Sequence, residues 1–326
     1  MSARRRVVHD PAEFGRVAVM LGGTSSEREV SLQSGSAVLE ALKAKGVNAV
    51  AWDPKHRGLS EFASATFDRV WNALHGPWGE DGILQGALTA LNVPYTGSGV
   101  LGSALAMDKV RSKQIFSAAG IPTPEFAVIS SSSEAEAAAE RLGYPCVMKP
   151  VGQGSSVGMS LVGDGERLRD AVDLALSFGQ SALVERYVRG AEVTVAVLQG
   201  EALPSVRIET PREFYDYHAK YEADSTRYVS PASDDADSER LYAGLAQKAF
   251  AALACDGWGR VDFMHEPGSI PQVLEVNTVP GMTSHSLVPI AADAAGIGFA
   301  DLCWRILETS MDVVSLEFVE AAANDA

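Results

Sequence analysis

In Leu274-Glu-Val-Asn277 the side chains of Glu275 and Asn277 stand two residues apart on a run that reads as a strand, so both project to one face. The apolar run 260–265 reads as its hairpin partner and can bring Asp262 opposite them. Two carboxylates and an amide oxygen are hard ligands suited to Mg2+, with phosphate oxygens completing an octahedron. By themselves the three residues fit a solvated polar face of an amphipathic sheet equally well. Arg260, on the Asp262 face, and Pro280-Gly281, directly after the ligand strand, weigh toward chemistry. A cation and a loop of backbone N–H groups beside a metal are what a developing oxyanion needs.

A second group is Gly152-Gln-Gly-Ser-Ser-Val-Gly158, preceded by Lys149-Pro150. Glycines let backbone N–H groups approach phosphates, and Lys149 supplies a point charge. The loop has neither the dinucleotide fingerprint nor a GK[ST] ending, and the run after it (159–162) is strand-like. A glycine-rich hairpin folded over phosphates fits better than either, although such a loop is as often a plain turn. The run 182–188 reads as an amphipathic edge strand, which could offer its backbone to an adenine, with Glu185 on the amino group and Glu192 on a ribose hydroxyl. Glu27 is expected in the first turn of a helix beyond the first strand, where open α/β sheets bind ligands. There it could equally complement the helix dipole. His75, opening the polar loop 75–82, can contact a carboxylate or be satisfied within the loop.

The elements that would hold these groups follow from periodicity. Strands are expected at 16–21, 47–52, 69–74 and 93–96, with helices between them, which implies an open, mostly parallel sheet. Ser26 with Glu29 is a capping-box pattern, and Gly46 suits the end of the helix. Beyond residue 108 come a helix to 119, a strand at 126–129, an alanine-rich helix to 142 and a strand at 146–149. From about 191 the chain is mostly strands, with Val193, Val195 and Val197 alternating, and one helix near 238–254. The net charge of −15, from 27 basic and 42 acidic side chains, repels nucleic acid and anionic membrane surfaces. Three scattered cysteines indicate neither a disulfide framework nor a zinc site, and no run is long enough to span a bilayer, so a cytoplasmic protein is expected.

Taken together, collinear segments from about residue 16 to 310 resemble D-alanine–D-alanine ligase: Gly22-Gly-Thr-Ser-Ser-Glu-Arg-Glu-Val-Ser31, His75-Gly with Gly-Glu-Asp-Gly82, Tyr95-Thr-Gly-Ser-Gly99, Met107-Asp-Lys-Val-Arg-Ser-Lys113, Gly154-Ser-Ser-Val-Gly158, Phe214-Tyr-Asp-Tyr217 with Ala219-Lys-Tyr221, Gly257-Trp-Gly-Arg260, and Glu275-Val-Asn-Thr278 with Pro280-Gly-Met-Thr-Ser-His-Ser-Leu287. The resemblance implies an N-terminal open parallel α/β domain (16–108) before a two-subdomain ATP-grasp fold (109–190 and 191–312), with tails at 1–15 and 313–326. It implies ATP-dependent ligation of two D-alanines through a D-alanyl phosphate, for peptidoglycan precursor synthesis, by a homodimer. Glu27 would hold the first ammonium in a network with Ser155 and Tyr221, and Ser155 would help deprotonate the attacking amine. Arg260 and the Gly281 N–H would meet the oxyanion; the Ser286 and Leu287 N–H groups would bind the second carboxylate. Lys109, Lys149 and Lys220 would neutralise phosphates, with Ser156, Tyr187 and Val188 also on the nucleotide. Asp262, Glu275 and Asn277 would hold two Mg2+ (or Mn2+) ions.

His218 stands where the family usually has an acid, and Val279 replaces a commoner serine or leucine. Residues 212–222, carrying Tyr215, Tyr217, Lys220 and Tyr221, are expected to form a lid over the site. Two other readings remain at this stage: a related ligase accepting D-lactate or D-serine second, and a nucleotide-binding module without chemistry. Tyr221 argues against the first, and the presence of Arg260, Ser155 and the metal set against the second.

Overall fold

Alternating apolar strands and helices near the N-terminus give the expected parallel sheet: β1 (Arg16–Met20), β2 (Asn48–Trp52) and β3 (Arg69–Asn72), in the order β2-β1-β3. The structure is a computed structural model that describes residues 7–154, 157–210 and 226–311. Helix α1 (Arg28–Ala44) joins β1 to β2 and ends at Lys45, with Gly46 at a φ of +81° where a side chain would be strained. Two local expectations are corrected. The residue capping α1 is Glu27, with no side-chain cap, and Ser26 forms no capping box. Ser25 holds the turn instead, its hydroxyl donating to the His75 carbonyl (2.7 Å) and accepting from the Glu27 N–H (3.2 Å). The fourth strand at 93–96 reduces to one parallel bridge, Val70 to Tyr95. Pro94 has no N–H to extend a ladder, and Gly97 turns the chain away at a φ of +88°. Helices α2 (Leu59–Ser64), α3 (Ile83–Ala90), α4 (Val100–Met107) and α5 (Lys109–Ala118) complete this part.

The next four strands, β4 (Phe126–Ile129), β5 (Cys146–Pro150), β6 (Ser160–Val162) and β7 (Ala182–Arg186), form an antiparallel sheet in the order β4-β7-β5-β6. Helices α6 (Ser132–Leu142) and α7 (Leu168–Leu176) bury its apolar face with Ala139, Val172 and Met148. The glycine-rich loop thus joins two antiparallel neighbours, β5 and β6, as its flanking residues suggested. The edge reading of 182–188 is corrected: β7 is an interior strand, paired on both sides and buried from Ala182 to Glu185. Its ladder bonds occupy the backbone through Arg186, so only residues past the strand end, at 187–188, could offer backbone to a ligand.

The third sheet contains β8 (Ala191–Leu198), β9 (Glu201–Ala202), β10 (Val206–Glu209), β11 (Arg227–Val229), β12 (Trp258–His265) and β13 (Gln272–Asn277). Its order is β11-β10-β8-β12-β13, with β9 paired to β8. The alternation of Val193, Val195 and Val197 marks one face, packed with Ala246 and Phe250 of α8 (Ala236–Ala252). The other face is buried as well: Ala196 and Leu198 enter a core shared with Leu287 of α9 (Leu287–Ala294) and Ile306 of α10 (Phe299–Glu308).

That shared core also takes Val17, Val19 and Trp71 from the first sheet and Trp258 from the third. The Trp71 and Trp258 rings lie 5.5 Å apart, and the Trp71 indole N–H donates to the Cys303 carbonyl (3.4 Å). Cys146, Cys255 and Cys303 are free thiols, with burial pushing Cys255 up to about 12. Among the described residues no single helix is long and apolar enough to cross a membrane. Because Trp258 is 1% exposed where the two sheets meet, Trp258→Ala is expected to cost about 3–5 kcal/mol in denaturant unfolding. The two sheets should still unfold together; resolved separate transitions in the unmodified protein would contradict a common core.

Candidate active site

The hairpin β12–β13 delivers the central pair of groups. Asp262 registers directly with Glu275, and Arg260 with Asn277, so all four lie on one stretch of neighbouring strands. The Arg260 guanidinium grips Asp262 in a bidentate pair (Nε–Oδ1 2.7 Å, Nη2–Oδ2 2.8 Å), and the Asn277 amide donates to Asp262 Oδ2 (2.8 Å). Glu275 pairs with Lys109 Nζ (3.1 Å), which also donates to the Gln153 carbonyl (2.8 Å) in the glycine-rich loop. Two opposed carboxylates with an amide oxygen are a donor set that fits a hard divalent cation. Lys109 and Arg260 supply the countercharge here.

On one side of this hairpin lies a cleft of about 340 Å³ between the second and third sheets. It brings together Lys109, Lys149, Glu185, Tyr187, Val188, Glu192, Asp262 and Glu275, which the sequence reading had assigned to nucleotide and metal. Glu185 is 2% exposed and forms ion pairs with both Lys113 and Lys149. Burial opposes its ionisation, but the two lysines prevail and hold its carboxyl below the usual range. Lys113 is a residue for which the sequence reading had no role, although it closes one of the motifs quoted above.

On the other side a smaller pocket gathers Glu27, His75, Arg260, Gly281, Ser286 and Leu287, and it shares Glu275 and Gly154 with the cleft. Glu27 is packed so closely that a Cβ on Gly76 would stand 2.7 Å from its Oε2, and one on Gly154 3.2 Å. Glycine is required at Gly76 by its φ of +75°. His75 is buried; Ser34 Oγ lies 3.4 Å from its Nε2 and accepts from the Met282 N–H (3.0 Å). With the Ser34 hydrogen directed to Nε2, His75 Nδ1 is a buried donor that meets no partner among the described residues. Glu80, which sequence reasoning passed over inside the 75–82 loop, joins this pocket. Burial, and then the charge of Glu27, push its carboxyl well above the usual range.

Ser286 caps α9, so Leu287 occupies the first helical position, where an N–H has no intrahelical acceptor and the helix dipole favours an anion. One expectation needs revision: the Ser286 N–H already donates to the Thr283 carbonyl (3.0 Å). The Ser286 side chain is engaged by Thr283 as well, accepting from its N–H at 2.9 Å. The Leu287 N–H is therefore the better amide for a carboxylate. Ser155, Ser156, Lys220 and Tyr221, and with the last two the expected lid at 212–222 and His218, lie outside the described residues.

The sequence profile described as the C-terminus of D-ala D-ala ligase matches residues 115–308, and that of the N-terminus matches residues 50–98. The chain belongs to the D-alanine–D-alanine ligase family. A D-alanine–D-alanine ligase of Idiomarina loihiensis is 50% identical over 303 residues, covering 92% of this chain and 98% of its own. D-alanine–D-alanine ligase B of Xanthomonas campestris pv. campestris is 52% identical over 311 residues, covering 93% and 97%. Among solved structures, the D-alanine–D-alanine ligase of Bacillus anthracis superposes with a TM-score of 0.81 at 36% identity, over 91% of this chain and 97% of that one. The same enzyme complexed with ATP gives 0.79 at 34% identity, over the same shares. The mixed architecture of one parallel and two antiparallel sheets is thus the ATP-grasp fold of these ligases.

Burial pulls His75 below its ordinary value, against the opposing charge of Glu27, so the ring is neutral at pH 7. A histidine depressed in the folded state takes up its proton more readily when unfolded. Its contribution to stability is therefore intact above the unfolded value of about 6.5 and is lost as pH falls below it. His75→Gln should flatten the stability-versus-pH curve in that window; curves of equal slope for both proteins would refute the assignment.

Proposed function

We propose that this ligase uses ATP to join two D-alanines into D-alanyl-D-alanine for peptidoglycan precursor synthesis in the cytoplasm. The observation that carries this reading is the shared wall of Glu275 and Gly154 between a lysine-lined cleft and a small pocket of Glu27, His75 and Arg260. A phosphoryl group leaving a nucleotide in the cleft would pass directly to a carboxylate in the pocket. Lys149 and Lys109 would take the phosphates, and the backbone at 187–188 with Glu185 and Glu192 the nucleoside. Asp262, Glu275 and Asn277 would hold two Mg2+ or Mn2+ ions, which when bound offset charge on the phosphate oxygens.

Glu27 would hold the ammonium of the first D-alanine, and His75, buried beside it in the same pocket, would orient its carboxylate. Transfer of the γ-phosphoryl group to that carboxylate gives an acyl phosphate. The second D-alanine would anchor its carboxylate at the Leu287 N–H and place its amine against the acyl carbon. The resemblance gives the proton from that amine to Ser155, linked to Glu27 and Tyr221. Arg260, fixed by its bidentate pair with Asp262, and the Gly281 N–H would stabilise the tetrahedral oxyanion until phosphate leaves. Positioning and charge stabilisation account for the whole sequence of steps, and no protein group becomes covalently attached. A homodimer is consistent with the exposed apolar side chains Ile83 (56%), Val100 (44%) and Leu101 (61%).

A phosphate-release assay with ATP and D-alanine, repeated with D-serine and D-lactate as second substrates, tests the reaction and its acceptor. Glu275→Gln should remove most turnover and weaken ATP binding only when Mg2+ is present; unchanged magnesium dependence would sink the metal assignment. Arg260→Met should lower kcat about 10²-fold or more with ATP affinity nearly intact. A loss confined to ATP affinity would move Arg260 to the nucleotide.

A further inference from the structure

Lys113 is a lysine only 1% exposed, and the reaction above assigns it no task. It projects from α5, and its Nζ donates to Thr123 Oγ1 (2.7 Å). Thr123 in turn donates to the Val273 carbonyl (2.8 Å), on the strand that carries Glu275. The same Nζ pairs with one carboxylate oxygen of Glu185 while Lys149 pairs with the other. The ring of Phe126, registered opposite Glu185, lies 5.7 Å from the ammonium. Glu185 and Lys149 line the nucleotide cleft; Lys113 lies behind them and does not.

The charges of this triad do not cancel. Two ammonium groups and one carboxylate leave a net charge of one positive unit, and the only ammonium of the two that faces the cleft is Lys149. Without Lys113, Glu185 and Lys149 would form a neutral pair, and a nucleotide phosphate would meet a dipole in place of a charge. We propose that Lys113 is a positioning residue for nucleotide binding, sharing Glu185 with Lys149 so that the charge of Lys149 is available to the phosphates. This rests on the reading of the cleft as an ATP site. The groups that face Lys113 are Glu185, Lys149 and, from β13, Glu275. Burial is the largest influence and brings Lys113 down to about 8, with Lys149 pushing the same way and Glu185 opposing.

The test compares ADP with adenosine, both with saturating Mg2+, by calorimetry on the full chain. Lys113→Met should weaken ADP about tenfold while adenosine stays within about twofold. Lys149→Met should produce the same selective loss. Adding Glu185→Gln to Lys113→Met should restore most of the ADP-to-adenosine ratio, because Lys149 then has no carboxylate to neutralise it. If Lys149→Met is selective for ADP but Lys113→Met leaves both ligands unchanged, weakens both equally, or is not rescued by Glu185→Gln, the proposal is overturned and the cleft reading survives. If Lys149→Met has no selective effect, the cleft reading itself fails. Should Lys113→Met not fold, Lys113→Gln, which keeps a donor for Thr123, takes its place with the same expected and overturning outcomes.

Discussion

The antiparallel register between β12 and β13 is the constraint from which the site follows. Side chains on a strand alternate between faces, so a slip of one residue would send Asp262 and Glu275 to opposite sides of the sheet. Several features hold the register. β12 is paired along its full length to β8 and from Arg260 to Met264 to β13, and Trp258 at its start is anchored in the shared core. The Val273 N–H donates to the Pro122 carbonyl, tying β13 to the connector that precedes the second sheet. A bulge between Asp262 and Phe263 confines irregular pairing to the region beyond the chemistry-bearing residues.

Around that hairpin, charge is organised in two compensated pairs, Arg260 on Asp262 and Lys109 on Glu275, and one triad with a positive unit to spare, Lys113 and Lys149 on Glu185. Buried charges are costly unless paired, so this arrangement keeps a ligand-ready site foldable. It also gives each ligand a defined exchange. A divalent cation can take over carboxylates now facing cations, and phosphates can take over the cations in return. The overall excess of 15 negative charges makes such local cation clusters necessary for an anionic nucleotide.

The shared core explains how the two halves of the smaller pocket, from distant chain segments, stay in register. Glu27 and His75 come from loops of the first sheet, whereas Arg260, Gly281 and Leu287 come from the third sheet and the helix after it. Trp71 against Trp258, and the Ser34 hydroxyl accepting from the Met282 N–H, join those parts directly. A substrate bridging Glu27 and Leu287 therefore spans surfaces that are already packed, which reduces the ordering that binding must impose.

Residue type and short-range spacing determined much of this protein from its sequence. The Glu275 and Asn277 pair on one face, the strand after the glycine-rich loop and the Gly46 helix end all depend on local periodicity or backbone preference, which act within a few residues. The collinear motifs carried the family for the same reason. Four things required the tertiary structure. Whether 182–186 lay at an edge depended on which strands flanked it, and β4 and β5 on its two sides removed the edge. The Ser286 amide became engaged through the turn at Thr283, and Ser25 displaced Ser26 at the start of α1 because the His75 carbonyl lies within its reach. Lys113 looked like any helical lysine. Only packing of α5 against β7 and β13 buried its ammonium against Glu185, because desolvation and pairing of charge depend on neighbours that are remote in sequence.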